Sequence, residues 1–300
     1  MSGQQFDPPL ARDISLILAV GELVWDIFPD QRVLGGAPVN VAYHLARLGL
    51  PVESITRIGD DPLGVAACQR LGELGLSVAG IQQDAMLPTG QVRVSFDAKR
   101  EPHFDIVAPA AWDAIALEPA LQLAGDQSFA LLFGTLAQRD PRSRQAIGEL
   151  RDRARLICYD VNLRPPFTTK ELVRDSLVGA DLVKLNGHEL AILGDWLELV
   201  GDKKNIAKTL CSRYDLAAVA VTEGAGGAWL VAGDEFFADP ALPVTVADTV
   251  GAGDAFFAGL IEGFLRKRPW LETLKRANQR GAYVASRRGA TPPMPDHLSL

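Results

Sequence analysis

Apolar positions along the chain fall into two kinds of run, and their order predicts an architecture. Short continuous apolar stretches occur at "ISLILAVG" (14–21), "FALLFG" (129–134), "RLICYD" (155–160), "DLVKLN" (181–186) and "LAAVAVTEG" (216–224). Runs this short, without polar alternation, read as strands covered on both faces. Between most of them lie amphipathic helical segments, among them "PVNVAYHLARLG" (38–49) and "PLGVAACQRLGELG" (62–75). Pro38 suits a first helical turn, and Gly49 suits a helix stop. Strand followed by helix, repeated, predicts an α/β fold: a central, mostly parallel sheet with helices on both faces.

Two stretches break the rhythm. "GELVWDIFPDQRVLGG" (21–36) and "TGQVRVSFDAKREPHFDI" (89–106) alternate polar and apolar residues without helical periodicity, as strands with one solvated face do. They predict either a small β-sheet lid, in segments of about 22–36 and 89–107, or ordinary hairpin decoration. Residues 1–12 read as a tail and 13–300 as one domain.

Composition narrows the classes. With 300 residues, 48% of them hydrophobic, the chain is long enough to bury a substantial core. A formal charge of -7 argues against general affinity for nucleic acid or anionic membranes, which need a surplus of Lys and Arg. No uncharged apolar run reaches the ~18 residues of a membrane span, and the first residues lack a secretory pattern. Cys68, Cys158 and Cys211 are far apart and read as reduced core thiols. The expectation is a cytoplasmic protein.

Candidate chemistry gathers at strand ends, where open α/β sheets bind ligands. Glu22, Asp26, Asp160, Asn162, Arg164, Asn186, Glu189, Thr222 and Glu223 all fall there. No P-loop sequence is present, and "GAGGAW" (224–229) and "GAGDAF" (251–256) each lack the third glycine of a dinucleotide fingerprint. What remains is a glycine turn, Gly251, Ala252 and Gly253, at the amino end of the helical run that starts with Asp254. Unpaired N–H groups and the helix dipole draw negative charge to such a place. Asp254 is there either as a helix cap or as a base beside an anion site, the pairing phosphoryl transfer needs. Spacing leaves both open. His44 reads as lying on the polar flank of its helix, and Arg93, Phe96 and His103 as plain strand surface.

Two separated motifs then carry a resemblance. "DTVGAGDAFFAGL" (248–260) resembles the second signature of the ribokinase-like (PfkB) carbohydrate kinases, and "GGAPVNVAYHLARLG" (35–49) the first. "DVNLR" (160–164), "KLNGHEL" (184–190) and "VTEGAGGAWL" (221–230) are similar to the landmarks between them, so the likeness runs over roughly residues 14 to 295. It implies a three-layer α/β/α ribokinase-like fold with a β-lid, and an ATP-dependent sugar kinase using Mg²⁺. By the resemblance, Asp254 is the base, and the amides of Gly251, Ala252, Gly253 and Asp254 form an anion hole. Asp26, Gly35, Gly36 and Asn40 hold sugar hydroxyls, and Arg164 binds sugar or the transferring phosphate.

The resemblance likewise assigns Asn186, Thr222, Gly224, Gly227 and Asn278 to the nucleotide, and Glu189 to indirect placement of Mg²⁺. Asp248, Val250 and Gly289 match a monovalent-cation loop of some members, implying K⁺, although Val250 stands where some relatives have a hydroxyl. The proline of "GGAPVN", with "GELVWDIFP" and "YDVNLRPPF", looks most like the fructokinase branch. The expected acceptor is D-fructose at O6. A 2-keto-3-deoxygluconate, ribose or nucleoside kinase, and a non-catalytic sugar sensor, are the rivals. Unpaired lid edges would let two chains pair as a homodimer.

Overall fold

Every residue of Leu16–Val20 is buried, and successive side chains enter different cores. Leu16, Leu18 and Val20 join one apolar cluster, while Ile17 and Ala19 join another, as the period of a two-sided strand requires. The computed structural model describes residues 14–96 and 102–299. The tail of residues 1–12, and residues 97–101 of the second lid segment, lie outside the described residues.

In chain order the strands are β1 (Leu16–Val20), β2 (Val24–Ile27), β3 (Arg32–Gly35), β4 (Val52–Gly59), β5 (Ile81–Asp84), β6 (Gly90–Phe96) and β7 (Pro102–Ile106). There follow β8 (Phe129–Gly134), β9 (Leu156–Asp160), β10 (Leu182–Asn186), β11 (Ala218–Thr222), β12 (Ala228–Ala232) and β13 (Glu235–Asp239). The main sheet has nine strands in the order β13-β12-β11-β10-β9-β8-β1-β4-β5. Its pairs are parallel from β5 through to β11, and β12 and β13 continue it antiparallel.

The helices are α1 (Ala37–Arg47), α2 (Pro62–Glu73), α3 (Leu117–Ala124), α4 (Pro141–Arg151) and α5 (Lys170–Leu177), then α6 (Gly187–Trp196), α7 (Lys203–Tyr214), α8 (Ala252–Leu265), α9 (Trp270–Ala285) and α10 (Asp296–Ser299). Apolar residues of α3 to α7 cover one face of the sheet, and those of α1, α8 and α9 cover the other. Helix α8 is buried from Asp254 to Phe264, so its sequence is apolar nearly all round.

The two irregular stretches form one four-stranded sheet, β3-β2-β6-β7. Strand β2 of the first stretch pairs in parallel with β6 of the second, a non-local contact that local hairpins would not make. From β1 the chain runs through part of this sheet and α1 to β4 on one side, and later returns to β8 on the other. The strand order therefore reverses beside β1, which opens a crevice at the carboxyl ends of the strands.

Candidate active site

The turn at 251–254 removes one of the two readings of Asp254, that of a helix cap. Gly251 occupies the N-cap position of α8 in the left-handed region, at φ 78°, and no side chain caps the helix. A Cβ there would lie 2.4 Å from Ala290 Cα, so backbone packs directly on this residue. Asp254 sits within the first turn but turns its carboxylate elsewhere: Oδ2 accepts a hydrogen bond of 2.8 Å from Asn40 Nδ2 on α1. It is only 9% exposed. Burial pushes its pKa up to about 6, while Lys184, Asn40 and Arg164 pull it down and Asp160 adds to the rise.

A cavity of about 570 Å³ opens in front of this carboxylate, walled by the lid sheet, the ends of β1 and β9, and the α8 turn. Asp26, Gly35, Gly36, Asn40, Arg164, Gly251, Gly253 and Asp254 all line it. Gly36 is required by the close approach of two chains: its φ is +117°, and a Cβ would meet the Glu22 carbonyl oxygen at 2.2 Å. Burial raises the Asp26 carboxyl to about 6 against the pull of Arg164. Glu22 is raised to about 7 by burial. One of its oxygens accepts from Ala37 N at the start of α1 (3.3 Å).

A second cavity of about 610 Å³ lies across the same turn. Asn186, Thr222, Gly224, Gly227, Ala252 and Asn278 line it, with apolar walls from Leu242, Val244 and Phe256. Gly253 and Thr249 line both cavities. Asn278 is fixed by donating to Asp239 Oδ2 (2.8 Å) and Pro240 O (2.9 Å). Asn186 caps α6 through its Oδ1, and Glu189 Oε2 accepts from Asn186 N (2.8 Å). Since Glu189 Oε1 accepts from Leu163 N (2.9 Å), both its oxygens serve the backbone. Asp248 ties two loops together, accepting from Val250 N and Gly289 N, each at 3.0 Å.

His44 departs from its expected place. It is wholly buried, its Nε2 donates to Ala290 O (2.9 Å), and burial lowers its pKa to about 3. The neighbouring Tyr43 hydroxyl donates to Pro292 O (2.9 Å). The segment after α9 covers this flank of α1 and, through Ala290, walls the first cavity. The strand-end candidate Glu22 also lines that cavity, as do two residues beyond those expected, Phe104 and above all Lys184. A lone charge inside the apolar run "DLVKLN" was the available signal for Lys184. Arg93 is strand surface as expected, ion-paired to Asp105 with both side chains exposed.

Two chambers that share one helix N-terminus, the more polar of them under a small sheet, define an α/β enzyme built to bring two small molecules together across an anion-attracting turn. The chain belongs to the pfkB family of carbohydrate kinases, whose description, pfkB family carbohydrate kinase, fits residues 16–297. It is thus a phosphotransferase with an alcohol group as acceptor. It is similar to a fructokinase from Klebsiella pneumoniae, 32% identical over 260 residues that span 82% of this chain and 83% of the relative. Among solved structures it resembles a fructokinase with bound ATP from Xylella fastidiosa, with a TM-score of 0.83, 25% identity and coverage of 92% of this chain and 94% of that one. It also resembles an aminoimidazole riboside kinase from Salmonella enterica, complexed with aminoimidazole riboside and an ATP analog, with a TM-score of 0.79, 27% identity and coverage of 94% and 98%.

Proposed function

We propose that this protein transfers the γ-phosphoryl group of ATP to the primary hydroxyl O6 of D-fructose. The observation that carries the reading is the buried Asp254 carboxylate, bonded to Asn40 and lining the lid-side cavity next to Gly253, which lines both cavities. Its pKa of about 6 suits a general base working near neutral pH.

In this reading the sugar occupies the lid-side cavity. Asp26 and Asn40 pair with its hydroxyls, which are costly to bury without partners, and the Gly35–Gly36 backbone lets it approach closely. Asp254 accepts the O6 proton as that oxygen attacks. The amides of Gly251, Ala252, Gly253 and Asp254 stabilise charge on the phosphoryl group in transit. Arg164 binds sugar or phosphate at the mouth. Asn186, Thr222, Gly224, Gly227 and Asn278 hold the nucleotide in the second cavity, a use supported by the ATP-bound relative. Lid closure excludes water that would otherwise hydrolyse ATP.

When bound, Mg²⁺ offsets charge on the phosphates. Among the described residues no three His, Cys, Asp or Glu side chains cluster as metal ligands, and Glu189 is committed to main-chain amides. These residues fit an ion carried by the phosphates and its own waters, with Glu189 acting through the backbone it fixes. The loop of Asp248, Val250 and Gly289 is the proposed seat of K⁺. The lid edges β3 and β7 are the proposed surface for pairing of two chains. No described helix is long and apolar enough to cross a membrane, and a cytoplasmic setting suits the reaction.

A panel of sugars assayed for ADP release tests the assignment. Turnover is expected to be highest with D-fructose. Preference for an aminoimidazole riboside or another nucleoside would move the protein to the branch of its other relative, preference for ribose would make it a ribokinase, and preference for 2-keto-3-deoxygluconate would assign Arg164 to a carboxylate. No transfer to any sugar would leave a sensor.

A further inference from the structure

A lysine in the middle of a strand buried on both faces needs a reason other than stability. Taking two charges out of water costs several kcal/mol per ion, and an apolar pair of similar volume is often as stable or more so. Lys184 on β10 stands opposite Asp160 on β9, with Nζ 3.0 and 3.3 Å from its two carboxylate oxygens. The side chains are only 8% and 4% exposed. Yet this pair is close to the chemistry. Lys184 lines the lid-side cavity, and its Nζ lies 3.0 Å from where a Cβ on Gly253 would be. Gly253, like Thr249, lines both cavities.

We propose that Lys184, tethered by Asp160, is a positioning residue for phosphoryl transfer: its ammonium is the fixed positive charge that balances the Asp254 carboxylate beneath the α8 turn. The proposal rests on the reading of Asp254 as the base. The charged groups that face Asp254 are Lys184 from β10, Asp160 from β9, Arg164 from the loop after β9, and Glu22 from the end of β1. Lys184 and Arg164 favour the ionised carboxylate, whereas Asp160 and Glu22 oppose it. Arg164 is exposed, so water and salt screen its charge, and the buried ammonium is screened far less. Asp160 thus has a double part: it holds the ammonium in place and moderates its field. Without Lys184, a carboxyl already raised by burial stays protonated at neutral pH and accepts no proton.

A signed cycle of variants tests this. The acid limb of the kcat/KM profile is expected to move up by about 1 to 3 pH units in Lys184→Met, the usual effect of losing a nearby opposite charge. It is expected to move down in Asp160→Asn, where the ammonium acts on Asp254 alone. The double variant is expected between the two, with thermal stability nearer to that of the wild type because neither member of the pair is left buried without its partner. A merely structural pair lowers stability and rate without this ordering. Asp254 protonation is also read without turnover, by carbon-13 NMR of labelled aspartate carboxyls assigned through Asp254→Asn. If Lys184→Met fails to fold, the other two variants still carry the sign. Coincident titrations of Asp254 in the wild type and all folded variants would overturn the proposal. Shifts of the expected sign in a protein that phosphorylates no sugar would instead overturn the functional reading alone.

Discussion

Asn40 and Asp254 are 214 residues apart in the chain and joined by a hydrogen bond of 2.8 Å in the fold. The bond links the start of α1 to the start of α8, so the two signature segments of the sequence meet at one buried carboxylate. Asn40→Ala leaves that carboxylate short of a donor, at a cost of about 1–3 kcal/mol. We expect kcat/KM to fall roughly ten-fold or more, and the acid limb of its pH profile to rise, since the lost bond favoured the ionised form. Steady-state kinetics across pH reads both; an unchanged profile would separate Asn40 from the base.

The wild-type profile itself has a predicted sign. Asp254 must be ionised to take a proton, so kcat/KM should rise as pH passes about 6. In Asp254→Asn or Asp254→Ala this limb should vanish. kcat should drop by about 10² or more while the sugar KM changes little. Coupled detection of ADP, with calorimetric titration of sugar, distinguishes loss of chemistry from loss of binding.

Glu22 predicts a stability effect instead. Its carboxyl is raised from 4.5 to about 7 by burial. A raised folded pKa gives a contribution that is full below the unfolded value and is lost as pH climbs through the folded one. Glu22→Gln does not titrate, so between about pH 5 and pH 8 its stability relative to wild type should improve, by up to roughly 3 kcal/mol. Denaturant midpoints at the two pH values measure the drift, and parallel behaviour of both proteins would contradict it.

Gly36 and Gly72 make a matched pair of alanine tests. A Cβ at Gly36 collides with the Glu22 carbonyl oxygen, and the residue's φ is +117°. Gly36→Ala should destabilise by about 1–3 kcal/mol and raise the sugar KM. Nothing lies within 4 Å of a Cβ at Gly72, within α2, where alanine should be neutral or stabilising by up to about 1 kcal/mol. Melting curves of both variants against wild type decide the matter.

The frame of the protein was readable because its signals are local. Leu16–Val20 and Leu182–Asn186 announce buried strands within five residues each, and Pro38 lies in the first turn of its helix. Where distant segments decide, the sequence was mute or ambiguous. That Asp254 does not cap its own helix follows only from Gly251 taking the N-cap and Asn40 arriving from α1. Lid or hairpins was settled by β2 pairing with β6. The Lys184–Asp160 pair follows only from the adjacency of β9 and β10. His44 was misplaced because the segment that buries it comes 246 residues later.

That late segment has a consequence for how the molecule comes into being. Ala290 and Pro292, which receive His44 and Tyr43, lie beyond both glycine-rich signatures in the chain. A nascent chain stalled just before them already holds both glycine-rich signatures, yet the lid-side cavity lacks Ala290 from its wall and the buried His44 lacks its carbonyl partner. The cavity is therefore walled in full only after both signatures have emerged, so synthesis of the motifs runs ahead of closure of the space they line.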